Sequence, residues 1–192
     1  MNEKTSKLVK ISLLSAIALI LRYIEFPIIP TYDWLQFDLS DVPAMIGAFA
    51  FGPIAGVVIE LLKNVLIILI KGTGSGFVGE LANFLMGSAL VFPAGLLYYM
   101  KKSKKTAILG MIIGAVCIQI VGILSNIYIL LPAYNMPMNH DLLMKYITFG
   151  LFPINGIKAI ATSVLTYILY KRLSVSIFKA EPNFGSPENK TI

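Results

Sequence analysis

The stretch FDLSDVPAMIGAFAFGPIAGVVIELLKN (residues 37–64) decides how many times the chain crosses a bilayer. Pro43 stands where a helix would begin, because its fixed φ suits a first turn. Residues 44–51 are apolar but few, and Gly52-Pro53 interrupts them before a second apolar piece at 54–70. One kinked span or two shorter ones both fit locally. Two are favoured because Gly-Pro is a strong breaker and because the charges elsewhere in the chain demand it.

Outward from this stretch, apolar runs recur at 8–29, 77–100, 107–131 and 142–170. Pro27 and Pro30 stop the first run, Pro132 closes the fifth span, and Pro93 and Pro153 lie inside the fourth and sixth. Of the 192 residues 57% are hydrophobic and 14% charged, with a mean hydropathy of +0.79. A soluble domain is about a quarter charged, so the chain is expected to be an integral membrane protein rather than a soluble enzyme. The net charge of +6 is then a topology signal and not a nucleic-acid patch. With six spans, eleven of the sixteen Lys and Arg residues fall on the side of the two termini, two on the other side and three within spans. Merging the second and third spans would place KKSKK (101–105) on the opposite face. The positive-inside rule therefore selects an all-α six-helix bundle, with both termini cytoplasmic. Residues 1–175 form one membrane domain, and 176–192 form a polar cytoplasmic tail. The N-terminus lacks a small-residue cleavage site, so the first apolar run is read as retained.

Polar groups inside a bilayer cost about 2.5–3.5 kcal/mol each on insertion scales when charged, so each needs a partner or a task. Glu60, Lys63 and Asn64 lie in the third span, Glu80 and Asn83 open the fourth, Asn126 lies in the fifth, and Asn155 and Lys158 lie in the sixth. Spacings of three and four place each set on one helix face, which must turn inward. Glu60–Lys63 reads equally well as an intrahelical ion pair. Asn126, Asn155 and Lys158, with Glu80 and Asn83, converge in the outer half of the bilayer. Amides and one ammonium form a mixed donor and acceptor set that suits a neutral polyhydroxy or heterocyclic imide ligand better than a bare ion. The loop at 31–41 adds three aspartates, Trp34 and Phe37 on the same side.

Other signals are weaker. KGTGSG (71–76) lacks the ending of a phosphate-binding loop and reads as a turn. The single Cys117 excludes an internal disulfide and a cysteine-based metal site. No nucleophile–base pair is visible, and no enzyme is expected, although Glu60 or Glu80 could serve as acid or base in a membrane enzyme. Small residues recur at packing distance in Ser12/Ala16, Gly52/Gly56 and Gly110/Gly114. On the first helix such a pair could equally be a docking face. A self-sufficient secondary carrier would often show inverted repeats, and the two halves of the chain show none.

The stretches FDLSDVPAMIGAFAFGPIAGVVIELLKN (37–64), GELANFLMGSALVFPAGLLYY (79–99) and NGIKA (155–159) resemble the substrate-binding S components of energy-coupling factor (ECF) vitamin transporters, specifically the riboflavin-specific branch. The likeness runs over residues 8–173. The resemblance implies a six-helix bundle in a bacterial plasma membrane, with riboflavin as transported ligand and no cofactor. It implies a binding site under the first loop among the last three helices, with Asn126, Asn155 and Lys158 as ligand contacts and Leu39 and Ser40 lining the loop side. It also implies that two small positions on the first helix, here Ser12 and Ala16, touch a membrane coupling protein that works with two cytoplasmic ATPases. An isoalloxazine is a flat amphipathic ring suited to Trp34 and Phe37, and asparagine amides match its pyrimidine edge. A phosphorylated flavin would ask for more cationic donors than Lys158 supplies, so riboflavin is expected in preference to FMN. Lipid is the surrounding medium, and nucleic acid is not a partner.

Overall fold

The computed structural model describes residues 2–136 and 139–176. The tail expected at 176–192 lies outside the described residues beyond Ser176. The order of elements is α1 (Glu3–Tyr23), β1 (Phe26–Pro27), β2 (Gln36–Phe37), α2 (Asp41–Phe51), α3 (Pro53–Lys71), α4 (Val78–Met100), α5 (Lys104–Ser125), α6 (Leu131–Ala133), α7 (His140–Tyr146) and α8 (Phe152–Ser176). Among the described residues, four helical stretches are long and apolar enough to cross a membrane: Pro53–Lys71, Val78–Met100, Lys104–Ala133 and His140–Tyr170. The outward faces of the helices carry exposed Leu, Ile, Val and Phe, as a bilayer requires.

The Gly-Pro break is a true corner. Gly52 adopts φ 101°, ψ 164°, which a side chain rarely permits, and Pro53 opens α3. The 11-residue α2 is almost wholly buried and packs on α1, α3, α4 and α8. At one end of the bundle, called the upper end here, lie the tip of α1, the 24–40 segment and the start of α2. Lys7 at the opposite end donates to the Phe51 carbonyl at 3.1 Å, fastening α1 beside the corner.

Two expectations about boundaries are corrected. The first helix was expected over 8–29 but spans Glu3–Tyr23. It starts early because Asn2 accepts from the Lys4 N–H as a cap, and it stops early because residues 26–27 leave to pair antiparallel with 36–37. This short hairpin roofs the upper end. Pro132 does not close the fifth helix but sits inside α6. A π-helical turn, Asn126–Leu130, joins α5 to α6, and a second, Ile147–Leu151, joins α7 to α8. Each π turn lies directly before a turn containing a proline (Pro132, Pro153), whose missing N–H loosens the normal ladder. The wider turns close with bonds from Leu131 N–H to the Asn126 carbonyl and from Phe152 N–H to the Ile147 carbonyl. Such turns often mark functional sites, and both flank the cavity described next.

Candidate functional site

A cavity opens at the upper end beneath the hairpin, with an empty volume of about 710 Å³ counted to its open mouth. Arg22 of α1, Trp34 and Gln36 of the roof, Asn83 of α4, Asn126 at the end of α5, and Asn155 and Lys158 of α8 supply its polar lining. Met86, Leu151 and Ile154 supply apolar surface.

The amides differ in what they have left to give. Trp34 Nε1 donates to the Tyr146 hydroxyl at 3.3 Å, and Tyr146 donates to Asn126 Oδ1 at 2.6 Å. Asn126 Nδ2 donates to the Gly122 carbonyl at 2.8 Å, so Asn126 is engaged at both ends. Asn155 Nδ2 and Asn83 Oδ1, by contrast, are buried without a hydrogen-bond partner among the described residues. Both residues line one cavity, with the orphaned donor and acceptor buried just behind its wall. Each such group costs about 1–3 kcal/mol when left unmade, which a ligand can recover. Gly122 leaves room for this arrangement, because a Cβ there would collide with Asn155 Nδ2.

Beneath the cavity runs a chain of eight alternating charges. Lys71 meets Glu25 at 2.7 Å, Glu25 meets Arg22 at 2.6 Å, and Arg22 meets Asp38 at 2.9 Å. Lys158 lies 3.2 Å from both Asp38 and Asp41. Lys63 meets Asp41 at 2.8 Å and Glu60 at 2.5 Å. The ion pair read within the third span therefore exists, but it is the inner end of a longer network. Asp38 Oδ1 also accepts from the Ser40 N–H at 2.8 Å and from the Ser40 hydroxyl. Burial alone would raise the Asp38 carboxyl, but Lys158 and then Arg22 outweigh it and hold the group well below the usual carboxylate range.

Of the residues singled out from the sequence, the structure brings Trp34, Asn83, Asn126, Asn155 and Lys158 to the cavity wall. Six others lie elsewhere. Glu80 accepts from Ser75 at 2.6 Å and from Thr73 at 3.1 Å, tying down the 71–76 turn, and it faces a separate lateral pocket with Leu61 and Asn64. Phe37 is buried in the roof against Phe26, with ring centroids 5.6 Å apart. Ser40 supports Asp38, and Leu39 packs into the core beside it. Ser12 and Ala16 are exposed on α1, and Ser12 lines an apolar groove with Lys7, Gly52, Pro53 and Tyr99 at the lower end.

Sequence reading missed Arg22 as a cavity residue, Tyr146 as the partner of Trp34 and Asn126, and the two aspartates as counter-charges. The available signal was arithmetic. Arg22, Lys63 and Lys158 fall in apolar runs, and the segment beside them offers Asp38 and Asp41.

Residues 6–170 match the family model for the substrate-specific component of ECF transporters. The chain is 39% identical over 176 residues to a riboflavin transporter, RibU, of Staphylococcus aureus, covering 90% of this chain and 92% of that one. It is 35% identical over 176 residues to the riboflavin transporter FmnP of Bacillus subtilis, covering 88% and 93%. A solved S component of a bacterial ECF transporter superposes with a TM-score of 0.76 at 37% identity, covering 90% of this chain and 98% of that one. The chain therefore belongs to the substrate-specific S components of ECF transporters.

Proposed function

We propose that the chain is the riboflavin-binding subunit of an ECF transporter in a bacterial plasma membrane, with the vitamin as cargo and not as cofactor. The observation that carries this reading is the pair of orphaned groups, Asn155 Nδ2 and Asn83 Oδ1, in a cavity walled by Trp34. A flavin's pyrimidine edge offers carbonyl acceptors and an N–H donor, which these two groups complement. The apolar side chains and Trp34 suit the ring faces. The names carried by the relatives point the same way.

The placement in the bilayer follows from charge. Six spans, counting α1 and the short α2, put both termini in the cytoplasm and the cavity mouth outside. Riboflavin enters from outside, beneath the hairpin. The role is transport, with no reaction on the ligand. Energy comes from a membrane coupling protein and two ATPases, with Ser12 and Ala16 on the exposed face of α1 as the docking positions.

Trp34 is the single tryptophan, so its fluorescence reports on the cavity directly. Titrating riboflavin into purified protein in detergent should quench it with saturation, and calorimetry should give the same dissociation constant. Absence of both signals sinks the proposal.

A further inference from the structure

The two cations lining the cavity are not free. Arg22 lies between Glu25 and Asp38, and Lys158 lies between Asp38 and Asp41. Both reach the same atom, Asp38 Oδ2. Over the whole chain of eight, four carboxylates alternate with four cations, so its formal charge is zero. Guanidinium and ammonium groups carry five and three N–H donors. Some remain for a ligand, but the positive field behind them is cancelled. A phosphate monoester carries about −1.5 to −2 charges at pH 7 and is held where cations are uncompensated. Seated against Arg22 and Lys158 it would face, directly behind them, the like charges of Asp38 and Glu25, which disfavours it.

We propose that Asp38 is a positioning residue that sets selectivity: by holding Arg22 and Lys158 it lets the cavity take an uncharged flavin and turn away the phosphate ester of the same flavin. This rests on the riboflavin reading above and adds to it the residue that discriminates. Glu25, which also pairs with Lys71, plays a smaller part through Arg22.

The test compares riboflavin and FMN binding to the purified full-length chain, the Asp38→Asn variant and the Glu25→Gln variant, each at low and at physiological ionic strength. The unaltered protein should prefer riboflavin. Asp38→Asn should narrow that preference by about tenfold or more, through gained FMN affinity, because it removes a like charge beside the phosphate. The gain should shrink as salt rises. A loss of packing would weaken both flavins alike and show no such salt dependence. Glu25 is partly exposed (20%), so Glu25→Gln, with a smaller narrowing expected, decides the matter should Asp38→Asn not fold. Equal binding of both flavins by the unaltered protein, or an unchanged preference in the variants that fold, overturns the selectivity role and leaves the riboflavin reading standing. Binding of neither flavin by the unaltered protein overturns both.

Discussion

Asn155 and Lys158 sit one helical turn apart on α8 and line the same cavity, yet their situations are opposite. Asn155 Nδ2 is orphaned, whereas Lys158 is clasped by two carboxylates. Asn155→Ala should therefore weaken riboflavin binding by about 1–3 kcal/mol while barely changing the melting temperature, as calorimetry and thermal unfolding in detergent would show. Asp38 makes a prediction of opposite kind. Its carboxyl is held below the ordinary value of 3.8, so the charged form is what the fold favours. A depressed carboxyl contributes stability that is present above that ordinary value and lost as pH falls through the folded one. Melting temperature should thus stay level from pH 8 to about 5 and drop below about 4, with a shallower drop in Asp38→Asn. The amides were legible in the sequence because hydrocarbon tolerates so few of them. The partner of Lys158 was not, because Asp38 lies 120 residues away and local spacing carries no trace of such a pairing.

At the scale of elements, the Gly-Pro corner and the long apolar runs were readable from composition and breakers alone. The hairpin was not, since its strands are two residues each and its register depends on the roof closing over the cavity. The π turns were equally hidden. Pro132 and Pro153 signalled disturbed helices, but a proline can as well end a helix as widen the turn before it. The contact of α5 with α8 gives a direct check. Gly122→Ala inserts a methyl where Asn155 Nδ2 lies, so it should displace that amide and cost riboflavin affinity about as much as Asn155→Ala does. The two changes combined should be less than additive, because they disable the same group. A double-mutant cycle of binding constants measures this.

For the molecule as a whole, the cavity and the exposed α1 face lie toward opposite ends of the bundle, and their functions should separate. Ala16→Trp should leave riboflavin binding to the purified subunit unchanged while abolishing uptake in cells that carry the complete transporter. Normal uptake in that variant would remove Ala16 from the docking face. The short second helix has a consequence of its own. Eleven residues of α-helix reach only about 16 Å, against a hydrocarbon thickness of about 30 Å. Asp41, at its head, accordingly meets Lys63 partway along α3 and not at the membrane surface. On the riboflavin reading, a ligand held in the cavity above that aspartate still has about half the membrane beneath it, and that is the stretch through which the partner proteins must open a path.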